Sequence, residues 1–431
     1  MTVASDHQQT VDLEPILRAA LQPELKQANA YPVHLGSGQP PGILAVYSAC
    51  DGIDPWGEAF YYPNDSLKFA LLSHEGETVW TRDLGMGVVP GFHFCPVSPF
   101  DLDGDGVDEI WFVNNIRTEN PLSLSGRRLA RIDALTGETT GQWEWPCLAG
   151  DTQVMSHTHR NFIFGGKANG DPVLVTAQGT YGPMFLQGWK SDMTQRWDVR
   201  ILKDDPGARG THPTVPVLDI NNDGVDEVLW GERCIEFDTG RELFCADRDV
   251  YRGHSDHIQP FENPETGQTY IYTIRESDPE AKPRVVTFDD TGNRVWGRID
   301  EGHMDMGWVG KIGEGGAPIA TAIRIRSKNF TKAGVEYGGV EEHVFNALTG
   351  KDIQLPFSTY KTKPKDINND GIYELVKGNE ILDRHANVIG RFEGKGRRFL
   401  DMPGHPGLQI SSYNDAGELV IWADKAAIGN Q

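Results

Sequence analysis

The stretch GTHPTVPVLDINNDGVDEVLWGERC, residues 210–234, places a histidine seven residues ahead of an acidic loop. The loop, DINNDGVDE at 219–227, offers side-chain oxygens at alternate positions, a glycine that permits a sharp turn, and a closing glutamate. The same order, D-x-[DN]-x-D-G-x-x-E, returns at 101–109 and 366–374. Oxygen sets of this kind bind hard cations, so the sequence predicts up to three calcium ions, with an ion-free turn as the alternative. The predicted calcium ligands are Asp101, Asp103, Asp105, Glu109, Asp219, Asn221, Asp223, Glu227, Asp366, Asn368, Asp370 and Glu374.

A second repeat surrounds these loops. Phrases with a Gly- or Asp-rich turn and a following strand, often carrying tryptophan, begin at residues 74, 135, 192, 238, 290, 348 and 384. Their spacing, mostly about 40 to 60 residues, is that of four-stranded propeller blades, and each phrase fits the hairpin between the third and outermost strands. With 49 glycines and 26 prolines in 431 residues, the composition indicates an all-β protein.

We therefore predict a single β-propeller over residues 31–431, with seven or eight blades and eight slightly favoured. An array of β-sandwiches is the structural alternative. The amphipathic pattern near residues 11–21 predicts a short N-terminal helical segment, within an extension formed by residues 1–30.

The formal net charge of −22 excludes the extended basic face that nucleic acids and anionic membranes require. Five irregularly spaced cysteines do not form a disulfide framework. The N-terminus lacks the basic and apolar regions of a signal peptide, so we expect a cytoplasmic protein, or a secreted one if a leader has been removed. We also expect a monomer.

Histidines recur at one position of the predicted repeat. Turns of a blade alternate between its two faces, so residues that begin first strands lie opposite the calcium loops, one strand length away. Seven of the 13 histidines fall at this position. They are His93, His157, His159, His212, His254, His257 and His303. Turns between second and third strands share that face and add Asn115, Tyr181, Arg275 and Arg324, while Arg160 follows the histidine pair. Arginine pairs with carboxylate in a bidentate manner, so this rim fits a carboxylated ligand.

Two cysteines raise a separate hypothesis. Cys234 and Cys245 fall near the same face and His254 follows at the next inner strand, so together with His212 they offer a Cys2His2 set for zinc. The alternative is a pair of buried thiols beside two site histidines.

The combination of His212, DINNDGVDE and Gly253-His254-Ser255-Asp256 resembles the β-propeller polysaccharide lyases, which include rhamnogalacturonan, ulvan and rhamnosyl-glucuronate lyases. The resemblance is best over residues 90–300. It implies β-elimination at a uronic acid of a rhamnose-containing glycan, with protein-bound calcium, histidine and tyrosine handling the proton, and arginine or a metal neutralising the carboxylate.

These implied roles can be placed on the chain. His159 is the predicted base and Tyr181 the predicted acid, and the two exchange for the opposite C5 epimer. Arg275, with His212 or Asn115, is predicted to neutralise the carboxylate. The predicted substrate-binding residues are His93, Asn115, His157, Arg160, His257, His303 and Arg324.

Two other functions remain open. A calcium propeller that binds glycan or protein without catalysis needs no set of titratable groups. A hydrolase would need two carboxylates on the site face, and Asp256 and Asp305 are the pair available.

Overall fold

The computed structural model describes residues 10–146, 154–211, 215–276, 278, 281–331 and 334–429. Within them the chain forms 31 strands, one short helix, α1 (Met155–Thr158), and one 3-10 turn at Glu314–Gly316. The strands make eight antiparallel sheets, seven of four strands and one of three. The all-β prediction is confirmed.

The first strand, β1 (Leu13–Ala20), belongs to the last sheet, and the next sixteen strands form sheets I to IV in chain order. Sheet I contains β2 (Gln27–Val33), β3 (Gly42–Ser48), β4 (Lys68–Leu72) and β5 (Thr78–Asp83). Sheet II contains β6 (Val97–Phe100), β7 (Glu109–Asn115), β8 (Arg127–Asp133) and β9 (Thr139–Glu144). Sheet III contains β10 (Asn161–Ala168), β11 (Asp171–Gln178), β12 (Met184–Trp189) and β13 (Gln195–Ile201). Sheet IV contains β14 (Val217–Leu218), β15 (Glu227–Trp230), β16 (Arg233–Glu236) and β17 (Glu242–Cys245).

The remaining strands form sheets V to VIII. Sheet V contains β18 (Ser255–Glu262), β19 (Thr269–Arg275), β20 (Val285–Asp289) and β21 (Arg294–Arg298). Sheet VI contains β22 (Met304–Gly310), β23 (Ile319–Thr331) and β24 (Gly334–Asn346). Sheet VII contains β25 (Lys363–Lys365), β26 (Glu374–Lys377), β27 (Glu380–Leu382) and β28 (Val388–Arg391). Sheet VIII contains β29 (Lys395–Leu400), β30 (Gln409–Tyr413) and β31 (Glu418–Asp424), with β1 paired to β31.

The N-terminal segment is a strand, so the helix predicted near residues 11–21 is wrong. β1 runs antiparallel to β31, from Leu13 opposite Asp424 to Ala20 opposite Glu418. Leu17 and Ala19 are buried, whereas Arg18 and Ala20 are exposed, which is the two-residue period of a strand. The open edge of β31 supplies the backbone partners that decide between the two patterns. The division of the chain at residue 30 stays a prediction.

Hydrophobic clusters join each sheet to the next. Seven clusters of buried side chains lie between I and II, II and III, and so on through VII and VIII, and an eighth, around Leu17, Ala45 and Ile421, joins VIII to I. The sheets of the described residues are thus connected in a closed order, and the N-terminal strand completes the last of them.

The recurring turn phrases have a packing reason. Trp197, on the outermost strand of sheet III, donates its indole N–H to the carbonyl of Phe237 at 2.7 Å. Gly240, in the turn of the next sheet, has a φ of +72°, and a Cβ there would lie 2.8 Å from the Trp197 ring. Trp80 with Gly137 and Trp296 with Gly350 repeat this contact. The tryptophan and the glycine recur because each outer strand packs on the turn of the following sheet.

No helix among the described residues is both long and apolar enough to cross a membrane.

Candidate active site and cation sites

Side chains from three sheets make a continuous run of contacts on the predicted face. Nη1 of Arg160 lies 2.8 Å from Nε2 of His93, and its guanidinium carbon is 5.1 Å from the centre of the Tyr181 ring. The Tyr181 ring meets the His254 ring edge-on, with centroids 4.0 Å apart. Arg160 also donates to Asp54 at 2.8 Å, so a loop of sheet I fixes it in place. The histidines that precede β6 and β18 are therefore linked through sheet III.

The run ends in a cluster of carboxylates and imidazoles, which we call the acidic pocket. Nε2 of His254 lies 3.2 Å from Asp256 and also contacts Glu276. The other oxygen of Glu276 lies 2.5 Å from Nε2 of His303, which is 3.3 Å from Asp305. One ligand atom from each of Asp256, Glu276, His303 and Asp305 falls within 4.8 Å of the others, so together they could hold a metal ion.

The pocket perturbs the pKa values of its members. Burial raises the pKa of Asp256 to about 6. Burial acts against the charged imidazole of His303, but Asp305 and Glu276 outweigh it and raise its pKa to about 9. Burial also disfavours the Glu276 carboxylate, yet its contacts with His254 and His303 hold its pKa well below the usual value. Three carboxylates at this spacing require compensating positive charge, which protonated imidazoles or a bound cation would supply.

Glu276 and Lys328 are residues of this site that the sequence analysis missed. Glu276 directly follows Arg275, which was predicted instead, and Lys328 lies four residues beyond the predicted Arg324 on β23. Lys328 contacts Asp305 and lies 3.6 Å from Glu276. The two adjacent ionisable residues at the end of β19, Arg275 and Glu276, were the signal available for Glu276.

His159 lies behind the site surface rather than on it. It is 6% exposed, and its Nδ1 accepts a hydrogen bond from Nη2 of Arg127 at 2.6 Å. Burial, reinforced by the Arg127 charge, lowers the pKa of His159 to about 3. An imidazole with so little proton affinity is a poor base, so this geometry disfavours His159 as the base, an assignment that stays a prediction.

Arg275 is fully buried, and its guanidinium hydrogen-bonds to other residues of the protein. Its guanidinium donates to both oxygens of Glu232 at 2.7 and 2.6 Å, to Asp247 at 2.6 Å and to the carbonyl of Pro283 at 3.0 Å. The side chain has no exposed surface. These contacts tie sheets IV and V together and leave no guanidinium surface for a substrate carboxylate; the assignment of Arg275 to that role stays a prediction.

Some of the other predicted site residues bond to groups close by in the chain or the same sheet, and others take part in the run of contacts described above. Asn115 closes its own turn, accepting from the Arg117 amide and donating to the Asn120 carbonyl, and His257 lies 3.0 Å from Gln259 on its own strand. Arg324 lies 3.4 Å from Glu341. His157 is half-buried beside Gly182, and burial lowers its pKa. His212 lies outside the described residues. The contacts thus bring together His93, Arg160, Tyr181, His254 and His303.

The register of sheet IV separates the two cysteines of the zinc hypothesis. Cys245 pairs with Arg233, whereas the adjacent residue Cys234 pairs with Phe244. Successive residues of a strand point to opposite faces, so the two sulfurs face different sides of the sheet. Cys234 belongs to the core between sheets IV and V, and Cys245 packs beside Tyr251. Cys234 is a buried thiol and Cys245 is half-buried, and this arrangement disfavours their binding one zinc ion.

The three acidic loops have the predicted position and nearly identical internal bonding. They link first to second strands in sheets II, IV and VII. In each, the last glutamate accepts from the amide of the second loop residue, at 3.0, 2.9 and 2.8 Å for Glu109, Glu227 and Glu374. The first aspartate accepts from a glycine amide, at 2.8, 2.9 and 3.2 Å for Asp101, Asp219 and Asp366.

Two observations show that the loops fit a cation. Ligand atoms of Asp101, Asp103 and Asp105 lie within 4.8 Å of one another. In the other two loops, Oε1 of Glu227 and Oδ1 of Asp366 are buried without a hydrogen-bond partner among the described residues. A buried carboxylate oxygen without a donor is costly, and a coordinated cation would remove that cost.

The fold corresponds to that of solved structures described as rhamnogalacturonan lyases. No protein-family model matches the chain. In sequence it is similar to rhamnogalacturonan exolyase YesX of Bacillus subtilis (strain 168), at 26% identity over 282 residues, which is 55% of this chain and 44% of that protein. It is also similar to rhamnogalacturonan endolyase YesW of the same strain, at 23% identity over 256 residues, 52% of this chain and 40% of that protein.

The similarity in structure extends over nearly the whole chain. The crystal structure of rhamnogalacturonan lyase YesW matches with a TM-score of 0.75, covering 96% of this chain and 75% of that one at 17% identity. The chain therefore has the fold of the rhamnogalacturonan lyases and resembles them in sequence, as predicted. The sequence matches span less than half the length of each curated relative.

Proposed function

We propose that the protein is a polysaccharide lyase that cleaves a rhamnose-uronate glycan by β-elimination, on an eight-bladed propeller. The similarity to rhamnogalacturonan lyases supports the reaction class. The observation that carries the proposal is the run of contacts from Arg160 through Tyr181 and His254 to the acidic pocket. The eight sheets and their closed order support the blade number.

The reaction needs three groups that this site provides. Removing the C5 proton of a uronate creates negative charge on its carboxylate, so positive charge must face that group. The leaving oxygen at C4 must then receive a proton. The C5 proton must itself pass to a base, and the neutral imidazole of His303, whose side chain is 47% exposed at the open end of the pocket, would accept it.

Tyr181 has the properties of the proton donor. Burial, together with the nearby charges of Glu276 and Asp256, raises its pKa, while Arg160 acts in the opposite direction. The phenol therefore keeps its proton at neutral pH and can donate it from Oη to a leaving oxygen. Arg160 lies over the Tyr181 ring and His254 meets it edge-on, so contacts on two sides hold the ring in place.

Calcium ions are the proposed cofactors at two kinds of position. Asp256, Glu276 and Asp305 would hold a cation that supplies the positive charge facing the substrate carboxylate and, by neutralising these carboxylates, would leave the adjacent His303 imidazole neutral. The three acidic loops would hold structural ions on the opposite side of the first strands. The proposed partner is an anionic polysaccharide or oligosaccharide.

The proposal is tested by incubating the protein and calcium with rhamnogalacturonan and related rhamnose-uronate glycans, and following the ultraviolet absorbance of the unsaturated uronate. Tyr181→Phe is expected to lower kcat by about 10²- to 10⁴-fold, the range of a lost general acid. Tyr61→Phe is the matched control, because the hydroxyl of this exposed tyrosine donates to the Asp51 carbonyl in its own loop. Folded protein that binds these glycans without unsaturated product would contradict the lyase and favour a binding propeller.

A further inference from the structure

The hairpin of sheet VI extends beyond its sheet. β23 and β24 pair over their whole length, from Ile319 opposite Asn346 to Thr331 opposite Gly334. β22 accompanies β23 only as far as Arg324. Among the described residues the hairpin from Ile325 onward is therefore a two-stranded ribbon. Lys328, four residues beyond Arg324, stands about 13 Å along the ribbon from the last residue that three strands support.

The ribbon delivers an ammonium group to the acidic pocket. Nζ of Lys328 contacts Oδ1 of Asp305 and lies 3.6 Å from Oε1 of Glu276. Asp305 is 3% exposed, and neither of its oxygens accepts a hydrogen bond of ordinary geometry from the described residues. The Lys328 side chain remains 31% exposed, so it reaches the pocket from the open side.

The same oxygens are those that would coordinate a cation. Asp305 and Glu276 belong to the group of four whose ligand atoms lie within 4.8 Å of one another. An ammonium and a divalent cation on the same carboxylate oxygen repel each other strongly at such distances. Binding of the ion would therefore displace Lys328, whose partly exposed side chain can leave on the open side of the pocket.

A second lysine lies beside the residue that is opposite Lys328 on the ribbon. Lys328 pairs with Tyr337 across the ribbon, and Nζ of Lys361 lies 5.7 Å from the centre of the Tyr337 ring. Lys328 and Lys361 thus both neighbour Tyr337, and two neighbouring ammonium groups suit one carboxylate.

We propose that Lys328 is a tethered cation that fills the acidic pocket in the metal-free protein and, once a divalent cation takes its place, binds the carboxylate of the substrate together with Lys361. This inference rests on the proposed function for the identity of the substrate. It adds a specificity residue on the ribbon that discriminates uronates from neutral sugars. The displacement itself requires only the metal.

Amine labelling tests the displacement without any turnover. The full-length protein is acetylated with and without saturating calcium, and the rate at Lys328 is followed by mass spectrometry, with Lys425, an exposed lysine of the C-terminal segment, as internal reference. Calcium is expected to raise the Lys328 rate about tenfold relative to Lys425, because tenfold corresponds to the loss of a single modest ion pair. In Asp305→Asn the rate is expected to be high with or without calcium. If calorimetry confirms calcium binding to the wild-type protein and the acetylation rate at Lys328 is the same with and without calcium, the proposal is overturned.

Binding measurements test the second half. Lys328→Met is expected to weaken the affinity of calcium-loaded protein for uronate oligosaccharides about tenfold, and to leave the affinity for carboxyl-reduced oligosaccharides unchanged. Arg326→Met is the matched control, because Arg326 lies on the same strand and pairs with Glu341 instead of the pocket. Equal losses for both ligands, or equal losses in both variants, overturn the specificity role. Labelling and binding results as expected, without any unsaturated product, would leave this inference standing while the proposed lyase activity fails.

Discussion

Replacement of His159 by glutamine should change how the stability of the protein depends on pH. Folding lowers the pKa of this imidazole from 6.5 to about 3, so below pH 6.5 the unfolded chain binds a proton that the folded protein refuses. His159 therefore favours folding above its unfolded pKa, and this contribution is lost as the pH falls toward the folded value. Integrated from about pH 7.5 to about pH 5, the loss is about 2 kcal/mol, with a limiting slope of about 1.4 kcal/mol per pH unit.

The assay is chemical denaturation of wild-type and His159→Gln protein at several pH values, with the difference in unfolding free energy as the readout. The wild-type protein is expected to lose about 2 kcal/mol relative to the variant over this interval. Phe94→Leu is the matched control, because the Phe94 ring lies 5.1 Å from the His159 ring and carries no titrating group. Its difference from wild type should stay constant with pH. A constant difference for His159→Gln as well would refute a neutral, buried imidazole hydrogen-bonded to Arg127.

Three further predictions concern stability. Gly240→Ala should lower the free energy of unfolding by about 1 to 3 kcal/mol, because the new side chain would combine a positive φ with a clash against Trp197. Gly378→Ala, at a similar φ but in open space, should cost less, and thermal denaturation compares the two variants. Arg275→Met should lower the unfolding free energy by about 3 to 5 kcal/mol because it leaves Glu232 buried and unpaired, and the added Glu232→Gln exchange should recover part of this; no recovery in denaturant melts would contradict the pairing. Chelation of calcium should lower the melting temperature, and its return should restore it, as scanning calorimetry at fixed chelator would show; an unchanged transition would mean that the loops are ion-free turns.

The repeat could be predicted because local chemistry dictates it. Each acidic loop needs its own oxygens and glycine, and each outer-strand tryptophan needs a small residue in the next turn, so both signals are written in short stretches. The N-terminal strand could not be predicted in this way. Its residues between Leu13 and Ala20 fit a helical period as well as a strand period, and the partner that decides, β31, lies about four hundred residues away.

The sequence predicted the turns that line the candidate site, but not every residue that enters the acidic pocket. Arg275 and Glu276 are neighbours at the end of one strand, and the arginine enters the space between sheets while the glutamate enters the acidic pocket. His159 and Arg160 divide in the same way, with Arg160 holding Tyr181. A shift of one residue reverses the face to which a side chain points, and sequence spacing alone does not fix that phase.

The charge of the chain explains why the acidic pocket needs its cations. At −22 the protein repels an anionic glycan at long range, although physiological salt screens this repulsion beyond about 8 Å. Within that distance the local charges decide. Four divalent ions, at the three loops and the pocket, carry eight positive charges and would bring the formal charge from −22 to −14. In the proposed state, the ion in the pocket and the lysine it displaces would act on the substrate directly, and the positive charge that binds a uronate would be concentrated where the proton is transferred.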